Sequence, residues 1–165
     1  MPLSLLPAND DHFAWMLGER DLEGLLLPAG AVDESAALRL IRSIAARARS
    51  AGRDACWMIV IDDEVVGLCG LKHPPTSDGL AEIGYNIFRD RRNLGYASQA
   101  IGALIELAAS ELGVRCLTAE TGIDNIASQR VLLRNDFVRT GMREDSKDGE
   151  LICWERLLAL RPSKR

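Results

Sequence analysis

The hydrophobic pattern of the chain changes between the period of a helix and the period of a strand. Apolar residues spaced three and four apart predict amphipathic helices, whereas short apolar runs bounded by polar turns predict strands. The predicted helices cover residues 10–18, 33–52, 95–113 and 125–135, with caps at Asn9 or Asp10 and at Asp124 or Asn125. The predicted strands cover residues 3–6, 57–61, 65–71, 80–88, 114–121, 137–142 and 151–158.

The order of these elements limits the fold class. In chain order they are β α α β β β α β α β β, and three consecutive strands at 57–88 predict an antiparallel meander. Residues 22–30 show neither period and are interpreted as a loop, and residues 161–165 as a solvated tail. Because no repeat or linker divides the pattern, the sequence predicts one mixed α/β domain over residues 1–165.

Composition and charge exclude some classes of function. The 165 residues are 47% hydrophobic and 27% charged, which is typical of a globular domain with a real core. The formal net charge of −4 argues against a protein that coats nucleic acid. Any site for an anion must therefore be local.

The sequence offers little that would direct it to a membrane or a metal ion. The first ten residues lack a basic residue and contain two prolines, unlike a signal peptide, and no apolar run approaches the length of a membrane span. The two histidines are far apart, and the cysteines lie in apolar, strand-like segments without a CxxC pair. We therefore expect a cytoplasmic protein with no membrane or nucleic-acid partner, no metal, and buried free thiols. The thiols are Cys56, Cys69, Cys116 and Cys153.

A basic cluster stands where the third helix begins. Arg89, Arg91 and Arg92 lie next to a helix N-terminus, where the backbone dipole is already positive. This arrangement is unfavourable unless an anion lies there, and a strand, a glycine turn and a helix direct backbone N–H groups toward an anion. The Walker A and GxGxxG spacings are absent. The spacing of residues 92–97, R-x-x-G-x-A, by itself also fits a helix entry with a solvated basic turn.

Three segments in order resemble the GNAT superfamily of acetyl-CoA-dependent N-acetyltransferases. Residues 92–97 (RNLGYA) resemble the motif [QR]-x-x-G-x-[GA], and residues 125–137 (NIASQRVLLRNDF) resemble N-x-x-[SA]-x-x-V-L-x-[KR]-x-G-F. Residues 81–85 (AEIGY) resemble a strand of the ribosomal-protein N-terminal acetyltransferase branch. The resemblance implies a GNAT-like single domain, with a mixed, mostly antiparallel central sheet of about six to seven strands flanked by about four helices. It also implies a cofactor-binding core at 57–158 and an acceptor side formed by residues up to about 52.

In this family the R-x-x-G-x-A loop binds the pyrophosphate of coenzyme A, and the resemblance implies the same here. Gly95 lets the backbone approach a diphosphate, and Ala97 fits where the helix begins. The resemblance further implies that the amides of Ile87 and Phe88 polarise the acetyl carbonyl, and that the pantetheine arm lies against their strand and splays it from the next. Asn125 hydrogen-bonds the arm and caps its helix. The implied cofactor-binding residues are Ile87, Phe88, Arg92, Asn93, Leu94, Gly95, Tyr96, Ala97, Asn125 and Ser128.

The resemblance also suggests how protons move during acetyl transfer. Glu82 lies on a polar strand face and is the candidate base, with a merely solvent-facing glutamate as the alternative. Ser128 is the candidate donor to the leaving sulfur, with a purely structural place in the first helical turn as the alternative. Further candidates for the base are His73, Glu120 and Tyr85.

Two positions depart from the family pattern. Asp136 replaces a glycine before Phe137, and we expect it to adopt the left-handed conformation, which aspartate tolerates. Leu132 stands where many members carry a catalytic tyrosine. That proton donor is therefore lost.

These features support three hypotheses. The first is an N-acetyltransferase that moves an acetyl group from acetyl-CoA to a primary amine by direct attack, as a monomer or homodimer. The acidic residues Asp78, Glu82 and Glu120 favour a cationic acceptor, either a protein N-terminus or a small cationic amine. The alternative, which the loss of the tyrosine favours, is a catalytically idle sensor or scaffold that binds CoA or acyl-CoA. The third, an interaction domain with no cofactor, is disfavoured by the arginine cluster.

Overall fold

Strands and helices follow the predicted order in the part of the chain that the computed structural model describes, residues 2–31 and 35–159. The predicted helix start near Asp33 and the predicted tail at 161–165 lie outside these residues. The helices are α1 (Asp10–Met16), α2 (Ser35–Ser50), α3 (Tyr96–Ser110) and α4 (Ile126–Arg134). The strands are β1 (Ser4–Pro7), β2 (Cys56–Ile61), β3 (Glu64–Leu71), β4 (Leu80–Ile87), β5 (Cys116–Gly122), β6 (Val138–Asp145) and β7 (Gly149–Leu157).

Within the described residues, the strands form one seven-stranded sheet in the order β1-β2-β3-β4-β5-β7-β6. Neighbouring strands are antiparallel except β4 and β5, which are parallel. A parallel pair needs a crossover between its strands, and α3 provides it. The expected GNAT-like, mixed and mostly antiparallel sheet is thus confirmed.

The helices cover the sheet from both faces because side chains alternate along each strand. On one face, α3 buries Ile101 and Leu104 in a core cluster that includes Ile83 of β4 and Leu117 of β5. On the other face, α1 and α2 pack in a second cluster whose strand residues come from β2 and β3. This arrangement leaves polar side chains of β4 and β5 on the second face, beyond the edge of that cluster.

Three local predictions can be compared directly with the structure. Asn9 caps α1, accepting a hydrogen bond from the His12 amide at 2.9 Å, although the helix ends at Met16 rather than Gly18. Asp136 has a φ of 61°, which confirms its left-handed conformation. The strand predicted at 137–142 instead runs to Asp145, because the Asp145 carboxylate accepts the amides that form the following turn.

The four cysteines are free and lie in strands, as expected. Cys56 and Cys69 are buried, and burial raises the pKa of the Cys56 thiol to about 12. Cys116 and Cys153 are only half-buried, which corrects the expectation that all four are buried. Both lie on strands whose second face is not covered by α1 and α2.

Candidate functional site

Strands β4 and β5 diverge after a short stretch of pairing. Within the described residues, their parallel register joins only Leu80 to Cys116, Ala81 to Leu117 and Glu82 to Thr118. Strand β4 remains paired with β3 as far as Ile87. Residues 83–87, roughly 13 Å of strand, therefore present one edge to a V-shaped gap between β4 and β5. The resemblance predicted this splaying.

The hydrogen-bond phase of the β3–β4 ladder decides which amides face the gap. The Phe88 amide donates to the Val66 carbonyl at 2.9 Å, so the even-numbered residues of β4 bond to β3 and the odd-numbered ones face the gap. The amide of Ile87 is therefore directed into the gap. The assignment of Phe88 as an amide donor to the acetyl carbonyl is wrong, because its N–H is used within the sheet.

The loop before α3 leaves backbone amides without a side-chain cap. Asn93 and Gly95 have φ values of 63° and 81°, and α3 begins at Tyr96 with neither a side-chain cap nor an acidic residue in its first turn. The first amides of a helix have no partner within the helix, so this end can bind an anion. A Cβ on Gly95 would meet no atom nearer than Nε2 of Gln99 at 3.9 Å, so the space over the glycine is open.

The arginines of this loop differ in their roles. Arg91 forms a two-pronged ion pair with Glu64 at 2.5 and 2.9 Å, so its charge is balanced within the protein. The Nε of Arg92 donates to the Ile87 carbonyl at 2.8 Å, and its guanidinium lies near Asn86. Arg92 thus joins the loop to the gap edge of β4. The structure accounts for Arg91 without an external anion, which the sequence did not reveal.

The first turn of α4 forms another wall of the gap. Asn125 accepts the Ser128 amide at 3.2 Å through its side-chain oxygen, so it is the predicted cap, and its amide nitrogen is a potential donor to a ligand. Ser128 is half-buried, and its hydroxyl makes no hydrogen bond to any residue that the structure describes. The Tyr85 hydroxyl donates to the Ser128 carbonyl at 3.3 Å and so links β4 to α4. The Gln129 side chain donates to the end of β5.

Two ion pairs lie on the face of the sheet opposite α3. Glu82, at the closed end of the gap, accepts from Nζ of Lys72 at 2.5 Å. Glu120 on β5 is bound by Arg143 on β6 at 2.6 and 2.7 Å, and these hydrogen bonds hold the pKa of Glu120 below its usual range. Sequence patterns missed Lys72 and Arg143, because only the strand register brings each of them to its glutamate. His73 lies in an exposed loop, with Nδ1 2.9 Å from the Pro74 carbonyl.

Other parts of the described chain add little to this site. A cavity of about 820 Å³ lies at the opposite end of α3, lined by Trp57, Leu107 and Leu112, and includes none of the predicted site residues. No group of three or more metal-ligating side chains occurs among the described residues. The helices in that part of the chain are too short or too polar to cross a membrane.

Proteins of similar sequence include proteins named as acetyltransferases. The chain is 32% identical over 83 residues to an uncharacterized N-acetyltransferase, p20, of Bacillus licheniformis, which is 50% of this chain and 47% of that protein. It is 33% identical over 85 residues to a ribosomal-protein-serine acetyltransferase of Escherichia coli, which is 52% of this chain and 48% of that protein. The chain thus spans about half the length of the curated relatives it matches.

A comparison of the fold and a protein-family model both agree with this sequence similarity. The fold is similar to that of RimL, a ribosomal α-N-protein acetyltransferase in complex with coenzyme A, with a TM-score of 0.74 and 20% identity over 96% of each chain. The family model for the acetyltransferase (GNAT) domain matches residues 3–138. That match includes the diverging strands, the loop at Gly95 and the first turn of α4. The chain therefore belongs to the GNAT acetyltransferase family.

Proposed function

We propose that the chain is an N-acetyltransferase that moves an acetyl group from acetyl-CoA to a primary amine by direct attack. The observation that carries the proposal is the continuity of two sets of backbone amides. Arg92 joins the uncapped start of α3 at Gly95 to the β4 edge at 83–87, which is not paired with β5 in the described residues. A ligand with a diphosphate and an extended arm matches both features.

The two ends of acetyl-CoA engage different parts of this surface. The diphosphate lies at the loop of Asn93 to Ala97 and the start of α3, with Leu94 and Tyr96 providing backbone. The pantetheine arm lies along β4 as an added strand, bonded to Ile87 and to the side-chain amide of Asn125. Arg92 holds loop and strand together through the Ile87 carbonyl at 2.8 Å.

The reacting groups meet at the closed end of the gap. Gap-facing amides of β4 polarise the thioester carbonyl. Glu82 accepts the proton of the attacking ammonium, directly or through a water, once Lys72 has moved aside. Ser128 is within the first turn of α4 and offers a hydroxyl to the sulfur. The amine enters from the face opposite α3, where the Glu82 side chain lies.

The acceptor we propose is a protein N-terminus. Residues up to about 52 and the loop that contains His73 shape this side of the cleft. The E. coli relative is by name a ribosomal-protein-serine acetyltransferase, and the carboxylates near the gap favour a cationic amine. Glu82 is already paired with Lys72, and Glu120 is already paired with Arg143. This balanced face fits the single ammonium of an N-terminus better than a polyamine with several charges.

Two measurements test the proposal in sequence. Coenzyme A at a hundred times its dissociation constant should raise the free energy of unfolding by about 2.7 kcal/mol, because it binds only the folded chain. Thiol release from acetyl-CoA should then be highest with peptides that carry a free N-terminus, compared with the same peptides blocked at that end and with polyamines. Binding without thiol release would support the idle sensor or scaffold. If coenzyme A does not stabilise the chain, the remaining hypothesis is an interaction domain with no cofactor.

A further inference from the structure

Tyr85 brings a second hydroxyl group to the first turn of α4. It is an odd-numbered residue of β4, so its backbone faces the gap while its ring packs against the core cluster beneath α3. Its hydroxyl reaches across to the Ser128 carbonyl at 3.3 Å. The Tyr85 hydroxyl therefore lies at the turn of α4 that carries Ser128 and forms one wall of the gap.

The hydrogen bond from Tyr85 to the Ser128 carbonyl is weak and can be replaced by a hydrogen bond to a better acceptor. Hydroxyl-to-oxygen bonds usually measure about 2.7–2.8 Å, so 3.3 Å is long. The Ser128 carbonyl lies in the first turn of α4, where helix geometry already pairs it with the amide four residues on. A thiolate in the gap would be a stronger acceptor, because its hydrogen bond is charge-assisted.

The chemical state of Tyr85 suits a donor. Burial raises the pKa of the Tyr85 phenol above its usual value, so the group keeps its proton across the neutral range. Leu132, where the family pattern would place a tyrosine, is fully buried and has no proton to give. The chain's other tyrosine, Tyr96, begins α3 at the opposite end of the free β4 edge.

We propose that Tyr85 donates a proton to the sulfur of coenzyme A as the thiol leaves, a role that rests on the proposed acetyl transfer. The amine nitrogen bonds to the carbonyl carbon, the carbon–sulfur bond breaks, and its electron pair goes to sulfur. The phenol proton passes to that sulfur. The proton released from the new amide nitrogen returns the phenolate to phenol, so protons and charge balance.

The Tyr85→Phe variant tests this role because it removes the oxygen and keeps the ring that packs in the core. We expect the turnover number to fall about 100-fold or more, within the range of about 10²–10⁴ that a general acid contributes. The KM for acetyl-CoA should stay within about twofold, because the lost bond forms mainly as sulfur becomes charged. Ser110→Ala is the matched control, since it also deletes a hydroxyl bonded to a helix carbonyl, at the far end of α3. Its turnover should be unchanged.

A second readout does not depend on turnover. The pKa of the bound coenzyme A thiol, followed by thiolate absorbance, should rise by about one unit in Tyr85→Phe relative to wild type. The desulfo analogue bound to the same variant gives the baseline and cancels the protein's own cysteines. Equal thiol pKa values in the two proteins would overturn the donor role, even if turnover had fallen. Absence of turnover in the wild type together with a shifted thiol pKa would support the donor contact and reject the acetyl transfer.

Discussion

At the scale of single residues, the effect of backbone strain can be distinguished from the effect on ligand binding by comparing two glycines at opposite ends of α3. Gly95 and Gly113 have φ values of 81° and 66°, and in neither case would a Cβ come within 3.4 Å of a neighbouring atom. Both positions therefore impose a similar cost, about 1–2 kcal/mol, on a residue with a side chain. Only Gly95 lies at the proposed diphosphate site.

We expect Gly95→Trp to abolish coenzyme A binding and Gly113→Trp to retain it. Both variants should lose about 1–2 kcal/mol of unfolding free energy, because each forces a side chain into the left-handed region. Titration calorimetry with coenzyme A and urea unfolding measure the two effects on the same samples. Tight binding by Gly95→Trp would contradict the assignment of the loop to the diphosphate.

At the scale of elements, the free edge of β4 is positioned by its contact with β3. A Cβ on Gly67 would lie 2.3 Å from the Asn86 carbonyl oxygen and 3.0 Å from the Ile87 Cα. Both are backbone atoms, so the strand itself would have to move. Gly67 thus allows the close approach that sets Ile87 against the gap.

Gly67→Ala should lower the unfolding free energy by about 1–3 kcal/mol, as overpacking in a well-packed region does. It should also weaken coenzyme A binding, because displaced β4 amides no longer match the pantetheine arm. Gly141→Ala in β6 is the control, since its Cβ would meet no atom within 4 Å, and it should change stability by less than about 0.5 kcal/mol. Equal stability and equal coenzyme A affinity in the two variants would contradict this role of Gly67.

The elements and their pairing also show which features of the fold and the site could be predicted from the sequence and which could not. Hydrophobic period and turn residues predicted the α-helices and strands of the described residues in order, because they report local geometry. Pairing across elements is not local, so the phase that turns the Phe88 amide toward Val66 was missed. The ion pairs of Arg91 with Glu64 and of Lys72 with Glu82 depend on register in the same way. Asn125 was predicted well because a cap and its helix are adjacent in sequence.

At the scale of the whole molecule, carboxylates tie separate elements together. Arg42 of α2 binds Asp10 of α1 and Glu19, and hydrogen bonds from Arg42 lower the pKa of both carboxyl groups. Arg143 similarly joins β6 to Glu120 of β5 and lowers the pKa of that group. A lowered pKa means that the folded chain holds the ionised form more tightly than the unfolded chain does.

The wild-type protein should therefore lose unfolding free energy as the pH falls from 7 to strong acid. The Glu120→Gln variant should lose less unfolding free energy over the same range. The Glu120 contribution is fully present above the unfolded pKa of about 4.3 and disappears as the pH falls through the lower folded pKa. At pH 7 we expect the variant to be less stable by about 0.5 kcal/mol, a small value because solvent screens a half-exposed pair. In urea unfolding from pH 7 down to strong acid, the two curves should converge.

Glu155→Gln on β7 is the control for this pH series. Glu155 lies on the same face as Glu120 and makes no ion pair in the part of the chain that the structure describes. It should follow the wild type at every pH. A Glu120→Gln deficit that persisted in strong acid would instead mean that the residue stabilises the β5–β6 region by packing rather than by its charge.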